Sequence, residues 1–345
     1  MDNNEHLDRS LIRLENNNIA KTGNTFAITN RLINSEIADL FNQGFCILNN
    51  EEIRNNDSDF LFLLEHSTSH QILCDFPFQA ESALDYERAI DFFMSVLKIK
   101  PRHSLTYLMI GICYYSWATD LLFEDENMNQ IEQLDKYNES YAALNMAKHL
   151  NSRSALTYYF MAKVESCYSD FESENRNWAN YSALDSINKV IEIEPFHSRA
   201  YLLRGSILND VEEYKEALNN YTELILLDCS NVVAFYRRGH MHERIKDYNL
   251  AIEDFTEVIN LDNSYTSAFY RRGLLYKKIR EYNLAISDFT AAMQLDNRYK
   301  SKCSRQRGEV RLLIGDKEGA QKDFDNDEIT AKLNKFKSRY GGTFS

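Results

Sequence analysis

The chain has only three prolines and eleven glycines among its 345 residues. That scarcity argues against a turn-rich β fold and leaves room for long helices. No Cys-x-x-Cys pair occurs, since Cys46, Cys74, Cys113, Cys167, Cys229 and Cys303 are scattered singly. Isolated cysteines in so long a chain point to reduced, buried thiols and away from a zinc ribbon or a disulfide framework. Long hydrophobic runs are missing too. Runs such as Phe60–Leu64 are far short of the roughly 20 residues needed to span a bilayer. The opening residues, Met1-Asp2-Asn3-Asn4-Glu5, are acidic and polar, the reverse of a secretory signal. A soluble, cytoplasmic protein is expected. There is no excess of positive charge: 39 basic side chains stand against 52 acidic ones, a net of −13. That balance disfavours DNA or RNA as a partner.

Catalytic signatures are also lacking. The sequence holds no nucleophile triad, phosphate-cradling glycine loop or metal cluster. His66 and His70 have i, i+4 spacing but no carboxylate between them, and His240 and His242 point to different sides of a helix. The acidic stretch Asp120, Glu124, Asp125, Glu126, Glu132, Asp135 has no glycine and no alternating calcium ligands. It reads as a solvated loop. We expect no enzymatic activity, no cofactor and no metal.

What is present is a repeat. Arg204-Gly205, Arg238-Gly239 and Arg272-Gly273 are spaced by 34 residues, and Arg307-Gly308 follows after 35. Twelve residues beyond each glycine stands an alanine: Ala217, Ala251, Ala285 and Ala320. Such a period marks stacked supersecondary units, each burying its apolar face only against its neighbours. Within the unit beginning at Ser198, Tyr201, Leu202 and Gly205 lie on a first helix. A turn at Val211–Glu213 leads to a second helix carrying Tyr214, Ala217, Tyr221 and Leu224. The units from Val232 and Thr266 repeat the pattern with Tyr248, Ala251, Phe255 and with Tyr282, Ala285, Phe289. Small residues at the crossing let the paired backbones approach closely.

These residues resemble the tetratricopeptide repeat family, a 34-residue helix–turn–helix with small residues at positions 8 and 20 and an aromatic at 24. The resemblance implies an all-α, right-handed superhelical α-solenoid. It is strongest over 198–325. Upstream, 104–197 reads as two units with insertions, one within Trp117–Lys136 and one within Ser169–Tyr181. Gly111 and Ala162 take the glycine position there. Residues 37–103 read as degenerate helical repeats, and 1–36 as a partly mobile N-terminal segment. In 326–345, Ile329, Leu333, Phe336 and Tyr340 form the stripe of a capping helix followed by a short tail.

The family's first helices line a concave face. Carrying its inward positions onto this chain gives a wall containing Arg199, Tyr236, Arg237, His240, Arg244, Tyr270, Arg271, Lys277, Lys278, Lys302 and Arg305. Across all the mapped positions eight side chains are basic and three acidic, a positive strip in an acidic protein. Guanidinium forks grip carboxylates and tyrosines supply rigid contact area. The expected function is a non-enzymatic scaffold or adaptor that takes an acidic peptide or a C-terminal carboxylate from a protein partner. Of the residues that form the family's chaperone-tail clamp, only Arg271 is matched. The alternative is a self-associating or autoinhibited scaffold, a homo-oligomer included. In it, the acidic N-terminal half, with 30 acidic and 15 basic side chains over 1–197, occupies the groove.

Overall fold

The computed structural model describes residues 83–124, 130–171 and 176–325, with Leu40 and Gln43. Apart from those two positions, the expected segments 1–36 and 37–70 and the capping helix of 326–345 lie outside the described residues. Among the described residues there are thirteen α-helices and no strand. The fold is all-α, a stack of helix–turn–helix repeats. The chain divides into two compact units, Met1–Ala179 and Asn180–Ser345.

The first unit contains α1 (Ala83–Ile99), α2 (Ser104–Glu124), α3 (Gln130–Leu150) and α4 (Ala155–Phe171). Helix α2 is apolar on most of its circumference: Leu105, Leu108, Met109, Ile112, Cys113 and Trp117 are all buried. A helix so wrapped in hydrophobic side chains needs neighbours on several sides, and α2 packs against α1, α3 and α4. Where an acidic loop was expected within Trp117–Lys136, residues 117–124 and 130–136 are helical, and α2 and α3 each reach 21 residues. The reason is burial at both ends of the extension, where Trp117, Ala118, Leu121, Gln133 and Tyr137 are covered. Asp120 is not merely solvated either, because Tyr86 donates to it at 2.6 Å. Rings and cations finish the packing. Tyr86 and Tyr114 stack with Trp117 at centroid separations of 6.1 and 6.4 Å, and the Lys136 ammonium sits 3.8 Å over the Trp117 ring.

Helix α5 (Arg176–Ile193) contains the division between the units, which therefore falls earlier than residue 198. The expected second insertion, within Ser169–Tyr181, is largely taken up by α4 running to Phe171 and α5 starting at Arg176. Then follow four regular pairs. These are α6 (Ser198–Asp210) with α7 (Tyr214–Leu227), α8 (Val232–Arg244) with α9 (Tyr248–Leu261), α10 (Thr266–Lys278) with α11 (Tyr282–Leu295), and α12 (Lys300–Leu313) with α13 (Lys317–Asp325). A single 3₁₀ turn, Asn297–Tyr299, precedes α12.

The turns inside these pairs are alike. Val211, Ile245, Ile279 and Ile314 cap the first helices, and the next residue adopts positive φ: Glu212 (65°), Lys246 (69°), Arg280 (67°) and Gly315 (86°). The amide after it reaches back to the helix, as in Asp247 N to His242 O at 2.8 Å. This is a left-handed helix stop that glycine would occupy without strain. Only the last pair uses glycine. The glycines of the Arg-Gly dipeptides serve contact instead: a Cβ on Gly273 would lie 2.9 Å from Phe289 Cε1.

The arginines of the same dipeptides form a ladder. Arg272 donates through Nε and Nη2 to both carboxylate oxygens of Asp288, each at 2.8 Å, and through Nη1 to Thr256 Oγ1 at 3.0 Å. Arg238 repeats this with Asp254 and Thr222, and Arg307 with Asp323 and Thr290. Arg204 makes the neutral version with Asn220 and Asn188. Each guanidinium therefore ties its own second helix to the preceding one. Asp254, Asp288 and Asp323 are at most 5% exposed. Burial pushes the Asp254 and Asp288 carboxyls above the usual range while their arginines pull them back. A buried two-point pair of this kind adds little net stability over well-packed apolar side chains, but the loss of one partner is costly.

Candidate functional site

The exposed side of α8 is set by helical spacing. Tyr236, Arg237, His240, Glu243 and Arg244 fall at i, i+1, i+4, i+7 and i+8, which is one face of the helix. Its opposite stripe, Ala234 and Met241, is buried with Gly239. Across from this face, α10 presents Arg271 and Lys278, and the α8–α9 turn presents Lys246. Together they line an open cavity of about 650 Å³, with Asn209, Tyr221, Met241 and Tyr248 completing its walls.

Six of the eleven residues expected from sequence meet here: Tyr236, Arg237, His240, Arg244, Arg271 and Lys278. Arg199, Tyr270, Lys277, Lys302 and Arg305 do not line this cavity. Lys277 is committed to holding α10 against α12, donating to Gln306 Oε1 at 2.9 Å and pairing with Glu309. Tyr270 packs against Phe289 and Tyr299 as part of the interior. Arg199 sits in the first turn of α6, and Lys302 and Arg305 are exposed on α12.

The positive strip is thus partly neutralised from within. Glu243 accepts from Lys278 at 2.9 Å and lies 3.5 Å from Arg271. Arg237, Arg244 and Lys246 make no ion pair among the described residues, although Arg244 stacks over the Tyr214 ring at 5.2 Å. Five cations and one carboxylate therefore share the cavity. Their field shows in His240. Burial, reinforced by Arg271, lowers its pKa to about 4 despite Glu243. The imidazole is neutral near pH 7 and is held between the rings of Tyr236 (4.9 Å) and Phe255 (5.7 Å). His242 faces elsewhere, 3.8 Å from Asp254, so the two histidines do not converge.

Tyr221 was not among the expected site residues, nor were Lys246, Met241 and Tyr248. The signal for Tyr221 lay in the repeat itself. At the same position the next two pairs have Phe255 and Phe289, so a hydroxyl is added only beside this cavity. That hydroxyl is buried without a well-formed hydrogen bond; Ser206, which donates its own proton to Leu202 O, is its loose polar neighbour. Lys246 had no helical register to reveal it, because it stands at the left-handed turn position.

Among the described residues no group of histidine, cysteine and carboxylate side chains could hold a metal ion. No described helix is long and apolar enough to cross a membrane. Cys113 and Cys303 are buried thiols, whereas Cys229 is exposed.

The tetratricopeptide repeat profile matches residues 232–265 and 266–299, which are α8–α9 and α10–α11 with the turns that follow. Residues 232–299 are tetratricopeptide repeats. The chain's fold is similar to the C-terminal part of a TPR repeat-containing protein from Cytophaga hutchinsonii. That likeness has a TM-score of 0.57 at 14% identity and covers 70% of this chain and 89% of the other. More distant are PilF of Pseudomonas aeruginosa, with a TM-score of 0.48 at 16% identity over 68% and 93% of the two chains, and YrrB. YrrB is described as a TPR protein with an unusual peptide-binding site, with a TM-score of 0.46 at 20% identity over 56% and 98%. No curated protein sequence matches the chain. Tetratricopeptide repeats such as these support a protein-interaction scaffold.

Proposed function

We propose that the protein is a non-enzymatic adaptor that holds an acidic segment of a partner protein along the first helices of its regular repeats. The anchor of that segment sits in the cavity between α8 and α10. The observation carrying this reading is the convergence of Arg237, Arg244, Lys246, Arg271 and Lys278 on one open cavity of about 650 Å³ against the lone carboxylate of Glu243. In a protein whose formal charge is −13, such a local excess gives an acidic peptide both attraction and orientation. The arginine forks make two-point contacts with carboxylates, and Tyr236 and Tyr248 add rigid apolar area with polar tips. A site of this kind binds at about micromolar strength, roughly 8 kcal/mol. A few arginine and tyrosine contacts dominate it.

The test is affinity capture from native lysate with the parent chain and with Arg237→Glu/Arg271→Glu/Arg305→Glu. Charge reversal is expected to release the partners, and the parent's capture is expected to weaken as salt rises. Partners that stay bound to the reversed chain would remove the groove from consideration.

A further inference from the structure

The cavity carries more positive charge than one carboxylate group can neutralise. Its five cations and Glu243 leave a formal excess of +4. Glu243 already engages Lys278 and Arg271, so a monoanionic carboxylate competing for those two gains little. Arg237, Arg244 and Lys246 are the groups without an ion pair, and they approach from α8 and from the turn behind it. A planar carboxylate presents two oxygens in one plane, which suits a single fork. A phosphoryl group presents three oxygens in different directions and about −1.5 to −2 charge at neutral pH.

A second observation is independent of charge. Tyr221 lines the cavity, is 0% exposed, and its hydroxyl makes no well-formed hydrogen bond, only a loose polar contact with Ser206. A poorly satisfied buried donor is costly, and the equivalent residues of the next two pairs, Phe255 and Phe289, avoid that cost. A ligand oxygen at the cavity floor would supply a better acceptor.

We infer that this cavity receives a phosphorylated hydroxyl side chain, a phosphomonoester dianion carried on an extended protein segment. The inference rests on the groove reading above and specifies the chemistry of its ligand. A volume of about 650 Å³ holds a phosphorylated side chain with flanking backbone, which favours a peptide-borne group over a free ion. Arg237 is the central contact. It is exposed and makes no ion pair among the described residues, so its replacement removes a ligand contact without removing a structural pair.

The test is fluorescence anisotropy with the full chain and labelled Gly/Ala peptides of about nine residues. They differ only at the centre, which is phosphoserine, serine or glutamate, and a further peptide carries three glutamates. Inorganic phosphate serves as competitor. The phosphoserine peptide is expected to bind at least about tenfold tighter than any other. Arg237→Glu is expected to erase that preference with unchanged helical circular dichroism, and inorganic phosphate to displace the peptide only at far higher concentration. Equal binding of the phosphoserine and triglutamate peptides would overturn the phosphoryl inference and leave the acidic-groove reading standing. No binding by any peptide would sink both. A phosphoserine preference that survives Arg237→Glu would place the site elsewhere. Displacement by inorganic phosphate at the peptide's own concentration would assign the cavity to the free ion.

Discussion

Residues 83–171 and 198–325 solve the same packing problem in different ways. In the regular repeats the residue before each crossing glycine is arginine, bound to a carboxylate or amide of its second helix and to a hydroxyl or amide of the preceding one. In α2 and α4 that slot holds Ile110 and Met161, which are 4% and 1% exposed. There the joints are made by apolar contact, by Tyr86, Tyr114 and Trp117, and by single polar links such as Ser140 Oγ to Gly111 O at 2.7 Å. Hydrophobic contact is non-directional, so helices held by it can lengthen to 21 residues without losing their partners. An arginine fork is directional and short-ranged. Its partner must recur 16 residues onward, as it does at Asp254, Asp288 and Asp323, and that requirement keeps the period near 34.

The largest test of this contrast is to remove one carboxylate. Asp288→Ala strands the Arg272 guanidinium in a largely buried site and is expected to cost about 3 kcal/mol in urea unfolding followed by circular dichroism. Converting the joint to the apolar kind, with Arg272→Met and Asp288→Leu together, is expected to return stability to within about 1 kcal/mol of the parent. A double variant as unstable as the single one would show that the two joints are not interchangeable.

A smaller effect is expected at the crossing point. Gly273→Ala places a methyl 2.9 Å from Phe289 Cε1 and 3.1 Å from Cδ1, and should cost about 1–3 kcal/mol by overpacking. In α4 the same position already carries a buried alanine, Ala162. The reciprocal Ala162→Gly change should therefore lose about 1 kcal/mol from helix propensity alone. Paired thermal melts compare the two, and an unaffected Gly273→Ala chain would mean that Phe289 moves aside freely.

The smallest effect lies in the turns. Glu212 sits at φ 65°, where Gly315 serves the last pair at 86°. Glu212→Gly is expected to stabilise the chain by about 1 kcal/mol by relieving the left-handed backbone. The melting temperature checks it, and a decrease would point to a side-chain role for Glu212.

Much of the regular half was legible before any coordinates. Gly205, Gly239, Gly273 and Gly308 each face the ring of the second helix, Tyr221, Phe255, Phe289 and Phe324, as the recurrence of small and aromatic residues implied. The Arg-Gly dipeptide was visible as a period marker, but the work of its arginine was not, because the acceptor lies on another helix. The acidic stretch after Trp117 misled in another way. Its carboxylates suggested a loop, while Trp117, Leu121 and Tyr137 were already spaced to be buried. Six of the eleven wall residues share one cavity, whereas Lys277 and Tyr270 looked identical in register yet are spent on packing between helices.

Periodicity and small-residue placement were enough to establish paired helices and their repetition, because both follow from local geometry over one 34-residue unit. Which cations remain available to a ligand was settled only by folding. Glu243 takes Arg271 and Lys278 from the next repeat, and the Tyr221 hydroxyl is left without a well-formed hydrogen bond. Those outcomes depend on angstrom-scale distances between side chains of different helices, and charge interactions and hydrogen bonds are decided at that scale.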